Sequence, residues 1–511
     1  MPELIFAYFV GRVWSLDRFQ PNIFLCDEQE IPFDRPRDDG QGLIVADLPE
    51  NRQASLHLRW PVPSFGEVTL STALCSPSSK PYNLHVEIAR QRLDLIKAFC
   101  DRWCREGFQP SAGVMERISQ ASRILDAVSA DEEERVNARW GDLSISISLP
   151  ASEELALECA RFQMSRRRAS GGFRTFLLGC NFFQYPQCPP SYLEYFTKLF
   201  NYATLPFYWA GFEPQPGVEL YVKVDMQADF LKSKHITMKG HPLLWFNTMP
   251  DYVPLHNLER LKELLYQRVK RITSHYDGVI GIWDVINEIQ HAQPYTDDAT
   301  AVELTRFMCD CVKELAPGAL RVVNVDEPFG EYMACQPEGK LHPVSYFERL
   351  AAETVDFDVI GIQVYQGSGW TFTRDLFEMS RYLDRYEKFG KPVHITELGV
   401  PSKEGYDQKD YSWRDHGAIF PEGLRFLPSD AGFWRQPWSQ ETQADWVEGF
   451  YRILMGKPFV QGITWWDFTD ESGHFYSHAG LLDENLQPKL AYKRLMSLKK
   501  EYLDETGGTN T

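Results

Sequence analysis

From residue 173 onward, short runs rich in Val, Ile and aromatic residues alternate with stretches whose apolar positions recur at helical spacing. Strands are predicted over 176–182, 203–208, 238–246, 279–287, 320–325, 359–365, 393–398 and 461–468. Between and after them, amphipathic helices are predicted over 258–272, 300–315, 374–389, 441–455 and 490–503. The runs are nearly continuous in apolar residues rather than alternating, as strands buried on both faces must be. Eight such units fit an α/β fold, a closed (β/α)8 TIM barrel over residues 173–511, within the usual size of about 250 to over 400 residues.

The first 172 residues have a different rhythm and read as a separate accessory domain. Residues 1–80 are β-rich, with strands predicted over 4–13, 42–48, 54–60 and 67–73, parted by Pro, Gly, Asn and Asp clusters. Residues 82–168 are helical. Leu84, Ile88, Leu93, Ile96 and Phe99 recur at helical spacing, and further helices are predicted over 115–128 and 153–166. Between the last two, residues 142–149 alternate and predict a short extended stretch. The basic run Arg166-Arg167-Arg168 before Gly171-Gly172 reads as a solvated boundary. Two readings stand for this region, a carbohydrate-binding β-sandwich and a brace that shapes one side of the barrel's cleft; the helices, too extensive for a simple binding module, favour the brace.

At 511 residues the chain is too long for one hydrophobic core. Its formal charge of −18 disfavours nucleic acid and anionic membranes, whose phosphates require clustered Lys and Arg. No apolar run reaches membrane-spanning length. The N-terminus lacks a basic leader and a small-residue cleavage site, so a cytoplasmic location is expected. The ten cysteines show no paired CxxC spacing and are expected as free thiols. No clustered His, Asp and Glu set suggests a metal, and no cofactor is expected. The sequence does not fix the oligomeric state.

The chemistry is carried by two glutamates. Glu288 closes Gly281-Ile282-Trp283-Asp284-Val285-Ile286-Asn287-Glu288, and Glu397 sits in His394-Ile395-Thr396-Glu397-Leu398. Each lies at the end of a buried-strand run, where a carboxylate is costly unless it has a partner or a task. Asp326, Tyr365 and Asp467 also fall at strand ends, the face on which barrels of this kind carry their active sites. Two carboxylates so placed are what glycoside hydrolysis needs: one protonates the leaving oxygen, and the other attacks the sugar or activates water. The plain alternative is that each is an ion-pair partner in the core.

Four collinear segments resemble family 10 of the glycoside hydrolases, best known as xylanases. Lys239-Gly240-His241-Pro242-Leu243-Leu244-Trp245-Phe246 is similar to the family's third-strand motif, roughly RGHTLVWH. Trp283 to Glu288 is similar to WDVVNE, and Ile395-Thr396-Glu397-Leu398 to ITEL. Gly462 to Asp470, with Gly480 to Lys489, resembles the eighth strand and its loop. The resemblance covers about residues 174–505 and implies a retaining β-glycosidase acting on a carbohydrate substrate. It implies that Glu288 is the general acid/base and Glu397 the nucleophile. By the same resemblance Asn287 holds the sugar 2-hydroxyl, Gln363 is the strand-six glutamine, His241 orients the carboxylates, and Trp466 stacks under the sugar.

The departures concern substrate more than chemistry. On the second strand the family's Glu-Asn pair falls on Pro206 and Phe207, and no lysine follows. Phe246 and Tyr365 stand where the family has histidines, Gly399 where it has an aspartate, Asp467 where it has glycine, and His474 where it has a tryptophan. Phe207, Trp209 and Phe246 are expected to line the glycone side in place of polar groups, and Tyr365 to donate to Glu397. Asp467 is expected to contact a sugar hydroxyl or basic group, or to cap a loop. Asp284 is expected to pair with a basic residue on a neighbouring strand. The implied enzyme is xylanase-like but not a standard xylanase. The alternative is a glycan-binding protein that keeps the barrel without turnover.

Overall fold

The computed structural model describes residues 2–9, 22–49, 51–292, 296–335, 341–367, 372–404, 431–471 and 478–504. Eight parallel strands close into a barrel: Leu177–Asn181, Tyr202–Pro206, Thr237–His241, Ile282–Asn287, Leu320–Val325, Val359–Tyr365, Val393–Gly399 and Val460–Trp465. They are numbered one to eight below. Each lies next to its sequence neighbour, and the eighth pairs with the first. All eight predicted strands are present. The third stops at His241, because Pro242 supplies no backbone N–H for the ladder. Helices such as Leu258–His275, Asp298–Leu315 and Gln440–Gly456 bury an apolar face against the strands.

Among the described residues the N-terminal region forms two antiparallel-rich sheets and three helices. One sheet orders Arg37–Asp38, Leu43–Asp47, Glu3–Ala7 and Tyr82–Asn83. The other orders Phe433–Trp434, Gly66–Ser71, Ser55–Val62, Ile23–Cys26 and Pro32–Asp34. The strand predicted over 4–13 is observed as Glu3–Ala7, and residues 10–21 lie outside the described residues. The helices are Leu84–Arg105, Ala112–Leu125 and Glu134–Ala169. The last corrects the extended stretch predicted over 142–149. Ser144, Ser148 and Ser152 repeat every four residues and are buried beside Ile145 and Leu149, a helical face that the Ser/Ile alternation conceals. The Ser144 and Ser152 hydroxyls donate to the Ala121 and Leu149 carbonyls, which makes their burial tolerable. The helix absorbs Pro150 in its interior.

The N-terminal region grips the barrel on the loops that follow strands five to seven. Phe433–Trp434, from the connection after strand seven, pairs with Gly66 and Glu67 as an edge strand of the N-terminal sheet. The Thr69 N–H donates to the Thr373 carbonyl, beyond strand six, at 2.8 Å. Glu153, wholly buried on the long helix, accepts from the Leu376 N–H, the Trp434 indole and Arg435. Arg92 makes a bidentate pair with Asp375 at 3.0 and 2.7 Å, both side chains buried. Against the expectation that the length calls for more than one core, one continuous apolar core runs through both regions. Asp375→Ala would leave the Arg92 charge buried without its partner and should destabilise the protein by about 3–5 kcal/mol. Urea denaturation measures this, and a loss below about 1 kcal/mol would show the pair to be dispensable to the junction.

Candidate active site

The two glutamates meet at the C-terminal mouth of the barrel. Glu288 follows the last residue of strand four in a left-handed backbone conformation, φ 55°, which a residue with a side chain adopts only when its surroundings hold it there. A bulge between Asp284 and Ile286 shifts the register with strand five, and the Glu288 N–H donates to the Asn324 carbonyl. The carboxylate accepts from neutral donors. The Trp245 indole reaches Oε2 at 2.8 Å; the Gln363 and Asn287 amides reach Oε1 at 2.8 and 2.9 Å. Glu288 is partly exposed, whereas Glu397, inside strand seven, is buried.

A polar ladder inside the barrel fixes this orientation. The Thr396 hydroxyl donates to Asn324 Oδ1 at 2.5 Å, and Asn324 Nδ2 donates to Asn287 Oδ1 at 2.6 Å. With its oxygen so engaged, the Asn287 amide turns its N–H toward Glu288. Strand six allows the close approach through Gly361, where an added Cβ would sit 2.7 Å from Asn324 Oδ1. Asn324 and Thr396 went unnoticed in sequence because a lone polar residue inside a β-branched run looks like ordinary strand.

Beneath Glu397 lies a buried charge relay. Asp284 Oδ2 is 2.6 Å from Lys239 Nζ and 2.6 Å from His241 Nδ1, and His241 Nε2 is 3.7 Å from Glu397 Oε1. Lys239, on the neighbouring third strand, is the basic partner expected for Asp284. Burial pushes the Asp284 carboxyl up, but the Lys239 ammonium and His241 outweigh it and hold Asp284 below the usual carboxylate range. Burial keeps His241 neutral despite Asp284. The neutral ring therefore donates its Nδ1–H in a hydrogen bond to the Asp284 carboxylate, and Nε2, without a proton, faces Glu397. Burial, and after it the negative charge of Glu288, lift Glu397 well above an ordinary carboxylate. The Tyr365 hydroxyl, which donates to Oε2 at 2.7 Å, and the Lys239 charge oppose the rise.

Aromatic rings wall the pair. Tyr208, Trp245 and Trp466 form a buried cluster with Phe183 and Tyr365 packed on it. Trp466 meets His241 edge to face, with centroids 5.4 Å apart, and Phe183 at 5.5 Å. Trp245 is both buried in this wall and a donor to Glu288. All three expected wall residues are corrected. Phe207 is fully buried against Phe212, Tyr276 and Trp283. Trp209 gives its indole N–H to Glu213 and lies under Arg268. Arg268 itself is buried and donates to the Phe207 and Leu243 carbonyls, so it fastens this turn to the outside of the barrel. Phe246 likewise joins the main core rather than the cluster around the carboxylates. Asp467 is buried just past strand eight, and its charge bears on the Tyr208 phenol. His474 lies outside the described residues. No group of three or more His, Cys, Asp or Glu residues with metal-binding geometry occurs among the described residues.

Comparison with known proteins converges on the barrel. The family model described as glycosyl hydrolase family 10 matches residues 191–498. Endo-1,4-beta-xylanase B of Thermotoga neapolitana is 25% identical over 349 residues, covering 65% of this chain and 89% of that protein. Beta-1,4-xylanase of Dictyoglomus thermophilum is 23% identical over 298 residues, covering 56% and 77%. Among solved structures, native xylanase 10B of Thermotoga maritima aligns with a TM-score of 0.48 at 20% identity, covering 66% of this chain and 99% of that one.

Proposed function

We propose, for a chain that belongs to glycosyl hydrolase family 10 and is therefore a glycoside hydrolase, that Glu397 is the nucleophile and Glu288 the acid/base of a double displacement on a β-linked glycan. The observation that carries the assignment is the asymmetry of the pair. Glu397 is buried, with a tyrosine hydroxyl on one oxygen and the Lys239–Asp284–His241 relay behind the other, and it has no need to meet solvent. Glu288 is partly exposed at the mouth, where a leaving group departs and water enters. In the first step the Glu397 carboxylate attacks the anomeric carbon while Glu288 gives its proton to the departing oxygen. In the second, Glu288 takes a proton from water, which attacks the same carbon and releases Glu397. Retention requires the two carboxyl groups to stand about 5–5.5 Å apart.

The pair works with one proton on it, so activity should fall on both sides of a pH optimum. The acid limb of kcat/KM reports protonation of Glu397. Tyr365→Phe removes a hydrogen bond that favours the charged carboxylate, so the acid limb should move to higher pH while the alkaline limb stays. A pH–rate series on an activated aryl glycoside measures it. An unmoved acid limb would mean that Tyr365 does not support the charge on Glu397.

The glycone pocket supports a substrate preference unlike that of a standard xylanase. No Glu-Asn pair or lysine stands on strand two, and the rings of Phe207 and Trp209 do not take their place in the pocket. Each missing polar contact costs on the order of 1–3 kcal/mol, about tenfold to a hundredfold in specificity. Unsubstituted xylan and xylo-oligosaccharides should be poor substrates beside another β-linked sugar. A panel of aryl β-xyloside, glucoside, galactoside, mannoside and fucoside, with xylan alongside, tests this. Efficient release of xylobiose from xylan would overturn it. The N-terminal region, on this account, braces the loops after strands five to seven that border the cleft.

A further inference from the structure

We propose that Tyr208 is a specificity-determining residue of the glycone subsite, contacting the sugar where the second strand of this barrel carries no charged hydroxyl-binding group. The inference rests on the assignment of the site as a glycosidase centre and goes beyond it to name the side chain that selects the sugar.

The local chain path singles this residue out. Phe207, Tyr208 and Trp209 are consecutive, directly after strand two ends at Pro206. The backbone here is tied by the Phe207 N–H to the His241 carbonyl at 2.7 Å, and by Arg268 to the Phe207 carbonyl. With Phe207 packed on Trp283 and Tyr276, and Trp209 engaged with Glu213 under Arg268, the residue between them turns the other way. The Tyr208 ring stands edge to face on His241 at 5.6 Å and 89°, 5.7 Å from Trp245 and 5.9 Å from Phe183. It belongs to the aromatic cluster around the glutamates and not to the main core. It thus touches two groups that themselves reach the carboxylates: Trp245 through its bond to Glu288, and His241 beside Glu397.

Its surroundings decide what it can offer. Glu397, Glu288, Asp284 and Asp467 all place negative charge toward the phenol, and burial acts in the same direction, so the hydroxyl keeps its proton. His241 on strand three packs against the ring, and the Tyr365 phenol lies against the same cluster. Tyr208 is almost wholly buried beside the two glutamates and carries a neutral hydroxyl there. A neutral donor matched to one hydroxyl pattern discriminates strongly against sugars that lack or invert that hydroxyl.

The test compares wild type with Tyr208→Phe, which removes only one oxygen, and with Tyr208→Leu, after circular dichroism shows that each is folded. The probes are the aryl β-glycosides of the panel above. For the sugar preferred by wild type, Tyr208→Phe should lower kcat/KM by about tenfold or more, chiefly through KM, while the poorly used sugars change by less than about threefold. A uniform fall across the panel, or no change on any sugar, would overturn the proposal. Binding of the matching free monosaccharides, followed through tryptophan fluorescence, gives an independent reading. A wild type that binds a sugar without turning over any glycoside, and loses that binding in Tyr208→Phe, would sink the hydrolase assignment but keep this one. Sugar binding unaffected by the substitution would do the reverse.

Discussion

Glu397→Ala should lower kcat by at least about ten-thousand-fold on every glycoside the wild type hydrolyses, whatever its leaving group. The size follows from the role. Without a carboxylate beneath the anomeric carbon, the covalent intermediate cannot form, and good leaving groups do not help. The cavity left by the lost carboxylate should admit azide, a small anion, on the face opposite the leaving group. Added azide should then restore turnover and give the glycosyl azide of inverted anomeric configuration. Product analysis by NMR reads this directly. Rescue that yields the retained azide would place the nucleophile elsewhere.

Glu288→Ala should behave differently, and the difference separates the roles. A general acid contributes about a hundredfold to ten-thousandfold when the leaving group needs a proton, and little when it does not. Activity on natural oligosaccharides and on aryl glycosides with poor leaving groups should drop across that range. With dinitrophenyl-type leaving groups, glycosylation should persist and the intermediate should accumulate as a burst, because no base remains to activate water. Trp245→Phe should show a milder form of the same leaving-group dependence, since its indole N–H positions Glu288 Oε2. If the two glutamate variants responded identically to leaving group and azide, the division of labour proposed here would be wrong.

The parts of this molecule that repeat, or that sit in long apolar runs, were legible in the sequence. All eight barrel strands were; in strands four to seven burial on both faces enforces runs rich in Val and Ile. The same logic exposed Glu288 and Glu397 as carboxylates in places that tolerate none without cause. Asp284, flanked by Trp283 and Val285, was recognisable as needing a buried cation, which is Lys239. What stayed hidden was decided by contacts distant in sequence. Phe207 and Trp209 occupy pocket positions by alignment, yet Arg268, some sixty residues on, pins their turn outward and leaves Tyr208 facing the glutamates. No local pattern distinguishes three successive aromatics by which one will turn inward. The alternation of Ser and Ile over 142–149 misled for a related reason: hydroxyls that bond to helix carbonyls are at ease on a buried helical face.

The junction with the N-terminal region was equally invisible, because its members come from both ends of the chain. Glu153 gathers donors from Leu376, Trp434 and Arg435, and Arg92 reaches Asp375 across 283 positions of sequence. The boundary near residue 172 marks a change of rhythm, but the strand Phe433–Trp434 crosses it in space to join the N-terminal sheet.

Double displacement requires Glu397 to form a covalent bond to the sugar. The most direct measurement is intact-protein and peptide mass spectrometry after incubation with a 2-deoxy-2-fluoro glycoside, bearing a good leaving group, of the sugar that the panel identifies. A stoichiometric mass increase of one fluoroglycosyl unit is expected, mapped to the peptide containing Glu397 and absent in Glu397→Ala. A label on Glu288, or a protein that turns over the parent glycoside yet never carries the adduct, would contradict it.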